Sequence, residues 1–170
     1  MNRFGFFGPT EKHDKTPGGF CISAFALVER GGRLLLLRPR AHRKWEQEWA
    51  PNYRIYDSSQ LEQEMARWRL PSTYVKQGES PREALDRVAM DQLGIRKYTV
   101  GQSSLENFYD KSRRYPGKMH WDYCFVFPVS TEEQIKSKPW IAEVEYLDPK
   151  SVTGKLGSAQ EFLLARLKLV

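Results

Sequence analysis

Residues 69–95 read RLPSTYVKQGESPREALDRVAMDQLGI and carry the strongest local structural signals of the chain. Its first part, 70–75, predicts a short strand that leaves a turn. The next part, 76–79, is a polar loop that contains a glycine. Residues 80–93 then predict a single helix, because apolar residues recur there at the helical period. The chain therefore passes from a strand through a glycine loop into a helix.

Both ends of the predicted helix carry clear signals. Ser80 is a suitable N-cap, and Pro81 suits the first helical position. Glu83 stands three residues after Ser80 and completes a capping box. Gly94 stands where a helix ends in a left-handed residue.

The two faces of this helix differ in polarity, since successive residues turn by about 100°. The apolar face is formed by Ala84, Leu85, Val88 and Ala89, with Leu93 at its edge. Gln92 falls near the middle of that face, one turn after Val88, and Asp91 lies at its edge. We expect Leu85, Val88 and Ala89 to pack on a sheet. Buried polar groups need partners. In one interpretation, Gln92 is a hydrogen-bonded amide in the core and Asp91 is a solvated acid. In the other, both residues belong to a functional site.

The strand, loop and helix together resemble the centre of a Nudix domain. The signature of that family is Gly, five residues, Glu, seven residues, and then Arg-Glu-aliphatic-any-Glu-Glu-any-Gly-aliphatic. Glu79 and Arg87 stand at the matching spacing, and Gly94 and Ile95 close the match. The resemblance covers roughly residues 20–168. It implies an α/β fold, a Nudix-like α/β/α sandwich with a mixed β-sheet.

The chain departs from that signature where the family binds its divalent cations. Thr73 replaces the opening glycine, Val88 replaces one glutamate, and Asp91 and Gln92 replace the other two. The resemblance implies Mg²⁺ or Mn²⁺ as the cofactor. Its candidate ligands here are Asp91, Gln92 and Glu79. Because the helix keeps one carboxylate in place of the family's three, we expect the cation to bind weakly.

The resemblance also implies a reaction, the hydrolysis of a nucleoside diphosphate linked to another group. Its candidate catalytic residues are Glu79, Arg87 and Asp91, although Glu79 and Arg87 could instead form a structural salt bridge. The run ALDRVAMDQLGI is similar to the corresponding helix of GDP-mannose hydrolases, which recruit a base outside the helix. The candidates for that base are His120, Asp122 and Glu106 on the later strands.

Substrate contacts are predicted from basic and aromatic residues outside the motif. Arginine binds phosphate with a planar fork of donors, and aromatic rings stack on bases. The phosphate candidates are Arg38, Arg40, Arg113 and Arg114, and the stacking candidates are Trp45, Trp49 and Tyr53. Ordinary surface charge and core packing are the alternatives for each of them.

The rest of the chain predicts an N-terminal arm over 1–19 and a single Nudix-like domain over 20–170. An insertion near 50–67 precedes the motif, and its part 61–69 has helical composition. This insertion could shape a substrate pocket, form a homodimer contact, or do neither. Strands are predicted over 20–29, 33–38, 97–109, 120–129 and 140–147, and helices over 131–138 and 158–168, the last with Ser158 as a cap.

Length and charge limit the function classes. The 170 residues suffice for one domain, and no stretch approaches the roughly 20 apolar residues of a membrane span. Cys21 and Cys124 both lie in apolar runs, which predicts buried reduced thiols and a cytoplasmic protein. The net charge of +6 and the pI near 9.3 favour an anionic partner.

Three functions compete at this point. The first is a Nudix-type hydrolase whose metal site has fewer acidic ligands than the family signature. It would act on a nucleotide-type small molecule such as a nucleotide sugar. The second is a non-catalytic Nudix-like domain that binds a nucleotide or a protein partner. The third is an RNA-binding module, which ranks last because the sequence has no RNA-motif aromatic pair.

Overall fold

The computed structural model describes residues 6–7, 19–111, 117–136 and 138–170. Its strands are β1 (Phe6–Phe7), β2 (Phe20–Arg30), β3 (Arg33–Pro39), β4 (Ser72–Tyr74), β5 (Thr99–Val100), β6 (Ser104–Lys111), β7 (Met119–Ser130) and β8 (Ile141–Leu147). Its helices are α1 (Ser58–Met65), α2 (Pro81–Arg87) and α3 (Ser158–Arg166). Shorter helical turns are a π turn over Trp45–Trp49, a 3₁₀ turn over Pro51–Ile55, a π turn over Val88–Leu93 and a 3₁₀ turn over Pro149–Val152.

Strand β2 is the centre of a mixed sheet. It runs parallel to β7, from the pair Phe20–Trp121 to the pair Val28–Val129, and antiparallel to β1, β3 and β4. Strands β5 and β6 add to β7, and β8 adds to β3, all in antiparallel pairs. The mixed sheet predicted from the sequence is therefore confirmed.

Apolar side chains cover the sheet on both faces. Leu35 and Leu37 of β3 belong to the core layer beneath α2, and Leu34 and Leu36 belong to the layer beneath α3. All four are at most 2% exposed. Alternate residues of one strand point to opposite faces, so an unbroken leucine run requires cover on both sides. This arrangement confirms the predicted α/β/α sandwich.

The motif helix is built as predicted at both ends. The Ser80 side chain accepts the Glu83 N–H and the Glu83 carboxylate accepts the Ser80 N–H, which completes the capping box. Gly94 ends the helix with φ of 77°. The helix runs as α2 up to Arg87 and continues as the π turn up to Leu93.

The helical composition of 61–69 corresponds to a helix, α1, which spans Ser58–Met65 because Asp57 caps it with a capping box to Gln60. Two other local predictions are wrong. Residues 131–136 form no helix, and there the Glu133 carboxylate accepts the backbone N–H groups of Arg96 and Lys97. Gly157, and not Ser158, is the N-cap of α3.

Most of the predicted arm, 1–19, lies outside the described residues. Among the helices that the structure describes, none has the length and apolar character needed to span a bilayer.

Candidate functional site

Arg87, the last residue of α2, ties the motif helix to three other segments. Its guanidinium binds both carboxylate oxygens of Glu79 at 2.9 Å, through Nε and Nη2. Its remaining N–H groups donate to the Glu48 carbonyl at 2.7 Å and to the Tyr74 carbonyl and the Thr73 hydroxyl at 2.9 Å. These five bonds use all five donors of a guanidinium. The expected Glu79–Arg87 pair is present, and Arg87 keeps no donor for a substrate phosphate.

The loop before α2 is fixed by the same carboxylate. Glu79 Oε2 also accepts the Lys76 N–H at 2.7 Å, and the Lys76 ammonium contacts the Glu48 carboxylate at 2.8 Å. Gly78 makes the turn with φ of 82°, a conformation that side-chain-bearing residues rarely adopt. Thr73, at the position of the signature glycine, supplies the hydroxyl that Arg87 contacts.

The second half of the motif helix faces the core. Val88 and Gln92 are both fully buried, and Asp91 is exposed. The Gln92 side chain bridges the backbone of Ser72: its Oε1 accepts the Ser72 N–H at 3.2 Å, and its Nε2 donates to the Ser72 carbonyl at 3.0 Å. Gln92 is therefore the hydrogen-bonded core amide that was one of the two sequence alternatives.

A cavity of about 100 Å³ lies between the sheet and the insertion. Its sheet wall includes Ser23 and Phe25 of β2 and Asp122 and Cys124 of β7, together with all three residues of β4. Its other wall is aromatic and comes from Trp45, Trp49, Ala50, Tyr53, Glu64 and Arg69. The insertion thus supplies part of the wall of a pocket, one of the roles considered for it.

Two buried donors in that aromatic wall have no hydrogen-bond partner within the described part of the chain. They are the Trp49 indole Nε1 and the Tyr53 hydroxyl, on side chains only 2% and 3% exposed. Trp45, by contrast, donates its Nε1 to the Trp140 carbonyl at 2.7 Å. An unsatisfied buried donor costs roughly 1–3 kcal/mol, so two of them beside one cavity require an explanation.

A buried cation completes the aromatic wall. The Arg69 guanidinium lies 5.4 Å from the Tyr53 ring centroid and 5.9 Å from that of Trp45. Glu64 partly neutralises it, with a 3.6 Å ion pair to the carboxylate and a 2.5 Å hydrogen bond to the carbonyl. A paired guanidinium therefore lies against two rings of the aromatic wall.

Of the predicted base candidates, Asp122 lines the cavity. His120 is buried, and its Nε2 is 3.8 Å from Asp122 Oδ1, which also accepts the Cys21 thiol at 2.7 Å. Burial, reinforced by the Asp122 carboxylate, raises the pKa of the Cys21 thiol well above its usual value, so the thiol stays protonated as a donor. Glu106 pairs across the strands with Cys124 and does not line the cavity.

Comparison with known proteins decides the family. The sequence model of the NUDIX domain matches residues 19–167. The chain belongs to the NUDIX domain family.

Several solved structures share this fold at low sequence identity. The MutT protein from Methanosarcina mazei Go1 is 19% identical over 88% of this chain and 93% of its own, with a TM-score of 0.59. The C. elegans Ap4A hydrolase binary complex is 13% identical over 87% of this chain and 95% of its own, with a TM-score of 0.54. A UDP-X diphosphatase is 16% identical over 87% of this chain and 62% of its own, with a TM-score of 0.51. A search of curated proteins finds no match.

NUDIX hydrolases generally use divalent cations, and the residues at the signature positions of this chain do not fit one. Mg²⁺ requires several oxygen ligands in a near-octahedral arrangement. Val88 offers none, the Gln92 amide is buried against Ser72, and the Glu79 carboxylate is held by Arg87. Asp91 is the remaining exposed acid of the predicted set. A metal site of Asp91, Gln92 and Glu79 stays a prediction that this geometry does not favour.

We expect the Gln92→Glu variant to lose roughly 2 kcal/mol of stability at pH 7, because a carboxylate cannot donate to the Ser72 carbonyl. Burial and the lost hydrogen bond disfavour the ionised form, so the pKa of the new carboxyl in the folded state lies above the ordinary value of about 4.3. Stability should therefore fall as the pH rises above about 4.3 and recover below it. Urea unfolding between pH 4 and pH 8 measures this.

The exposed Gln77→Glu change is the matched control and should leave the stability within roughly 0.5 kcal/mol. Equal stability of both variants across the pH range would show that Gln92 is not a buried, hydrogen-bonded amide.

The structure separates the predicted substrate residues. Arg38 pairs with the Glu143 carboxylate and lies 5.1 Å from the Trp68 ring, and Arg40 is exposed after β3. Neither lines the cavity, whereas Trp45 does. Trp49 and Tyr53 line it as well, and Arg113 and Arg114 lie outside the described residues.

The contacts of two residues in this region were not predicted. Arg69 gave no signal, since a single arginine in a sequence is normally exposed. Cys21 is the buried reduced thiol that the sequence predicts, but its contacts were not predicted. Its place opposite Asp122 follows from the parallel pairing of β2 and β7, which no local pattern encodes.

Proposed function

We propose that this NUDIX protein binds a nucleoside diphosphate linked to another group, and that one group of this ligand enters the aromatic cavity. The observation that carries the proposal is the pair of buried donors, Trp49 Nε1 and Tyr53 OH, beside the cavity. Buried donors in native proteins are nearly always paired. A ligand with acceptor oxygens or ring nitrogens would pair both.

The size of the cavity limits what it can hold. An apolar cavity of about 150 Å³ takes a benzene molecule, so about 100 Å³ has room for a group smaller than that ring, such as one phosphate. A whole nucleotide is larger than this. The rest of the ligand would lie outside the cavity, where the protein's net charge of +6 favours phosphate.

The names of two solved relatives agree with this ligand class. One is an Ap4A hydrolase and another a UDP-X diphosphatase. Their likeness to this chain is one of fold, so they suggest which compounds to test first.

Hydrolysis of the bound compound with Mg²⁺ or Mn²⁺ is the second candidate function. The observation that favours it is the position of Asp122 in the cavity wall, with His120 beside it. A carboxylate and an imidazole are common general bases. The catalytic roles of His120, Glu79, Arg87 and Asp91 stay predictions, and Arg87 and Glu79 have the contacts of a structural pair.

Calorimetry with nucleoside diphosphate sugars, dinucleoside polyphosphates and nucleoside triphosphates tests the proposal, with product assays in Mg²⁺ and Mn²⁺. We expect at least one compound to bind. In the Tyr53→Phe variant its affinity should fall about fivefold, the equivalent of one hydrogen bond of roughly 1 kcal/mol.

Tyr146→Phe is the matched control, because the Tyr146 hydroxyl is also buried without a partner in the described structure but lies away from the cavity. Its affinity should equal that of the wild type. Turnover would support hydrolysis, and binding without turnover would support a binding domain. Failure of the whole panel to bind would reject both functions.

A further inference from the structure

Three side chains of different chemistry meet where β2 and β7 begin. They are Cys21, His120 and Asp122, and their donor atoms all lie within 4.8 Å of one another. Cys21 and Asp122 are neighbours in the parallel ladder, and His120 lies two residues before Asp122 on the same face. Among the residues that the structure describes, this is the one such group of histidine, cysteine and acidic side chains.

We propose that Cys21, His120 and Asp122 bind a divalent transition-metal ion of the Zn²⁺ class at the edge of the cavity. Thiolate, imidazole and carboxylate are the ligands that Zn²⁺ takes in proteins, whereas Mg²⁺ avoids thiolate. Three protein ligands leave one tetrahedral position for water or another donor. This site is separate from the motif helix, where the family's signature places the cation. While it holds an ion, His120 and Asp122 act as its ligands and not as general bases.

The distances allow such a site after small rotations of the side chains. With ordinary zinc–ligand bond lengths, donor atoms on a tetrahedral ion lie about 3.3 to 3.6 Å apart. Asp122 Oδ1 is 2.7 Å from Cys21 Sγ and 3.8 Å from His120 Nε2. The first distance must open by under 1 Å when the thiol proton leaves, and the second must close slightly.

Charge balance favours an ion at this buried position. Binding breaks the S–H bond of Cys21, forms a metal–sulfur bond and releases the proton to solvent. One thiolate and one carboxylate then neutralise the two positive charges of the ion. Burying this neutral group costs less than burying an unpaired charge. Asp122 lines the cavity, which gives the ion a route from solvent.

Cobalt titration of the chelator-treated protein tests the site, since a Co²⁺–thiolate bond gives a charge-transfer absorption band in the near ultraviolet. We expect this band to saturate at one Co²⁺ per chain and to disappear when Zn²⁺ is added. Cys124→Ser is the matched control, because Cys124 is the other buried cysteine and lies outside the group. It should keep the band, and Cys21→Ser should lose it.

A second variant guards against misfolding of Cys21→Ser. Asp122→Asn keeps an acceptor for the Cys21 thiol but loses the carboxylate charge, and should weaken Co²⁺ affinity at least tenfold. Absence of the band in the wild type, its survival in Cys21→Ser, or an unchanged affinity in Asp122→Asn would each overturn the proposal. The test uses the metal alone, so its outcome does not depend on whether the cavity binds a nucleotide.

Discussion

Replacing Arg87 with alanine should lower the free energy of unfolding by roughly 3–5 kcal/mol, the cost of breaking a buried ion pair by removing one partner. The Arg87 and Glu79 side chains are only 11% and 14% exposed. The variant would leave the Glu79 carboxylate without its cation, and the Glu48 and Tyr74 carbonyls without their donor. Chemical denaturation measures the loss, and hydrogen exchange should show that residues 76–80 loosen more than the rest of the domain.

Arg82→Ala is the control for this change, on the same helix. Arg82 is 53% exposed and pairs with Asp86 four residues later. Exposed pairs of this kind contribute at most about 1 kcal/mol. If the two alanine variants unfolded at the same denaturant concentration, the central role of Arg87 would be refuted.

The Leu85→Asp variant should not fold. Leu85 is fully buried in the layer between α2 and the sheet. The change removes a core leucine, at roughly 2–5 kcal/mol, and adds an unpaired carboxylate, at several more. The sum approaches the total stability of an ordinary domain, about 5–15 kcal/mol. Circular dichroism and the soluble yield report the outcome.

Met90→Asp is the companion variant, since Met90 belongs to the same helical segment and is 50% exposed. It should fold and melt close to the wild type. A folded Leu85→Asp protein with an unchanged melting temperature would show that α2 does not pack through this face.

The sequence was most informative where local chemistry determines the structure. The Ser80 cap, the Gly94 helix end and strand β3 each depend on neighbouring residues, and each was predicted correctly. The periodicity of the motif helix also placed Val88 and Gln92 on the buried side. The NUDIX fold followed from these features together with the signature spacing.

The site was harder to predict because its members come from distant parts of the chain. Gln92 is bonded to Ser72 on β4, and Arg87 donates to the Glu48 carbonyl in the first π turn. The sequence could not show that these contacts use the hydrogen-bonding groups of both side chains. Arg38 was assigned to phosphate, whereas Glu143 on β8 pairs with it. Each of these outcomes depends on strand pairing that local patterns do not specify.

The parallel pairing of β2 with β7 also bears on how the chain folds during synthesis. Cys21 and Asp122, neighbours in this ladder, are 101 residues apart in sequence. Pairings of such long range slow folding, because a large loop must close before they form. The β2–β3 hairpin can form early, but β2 keeps an unpaired edge until Met119–Ser130 has left the ribosome. Until then that edge is open to aggregation or to a chaperone.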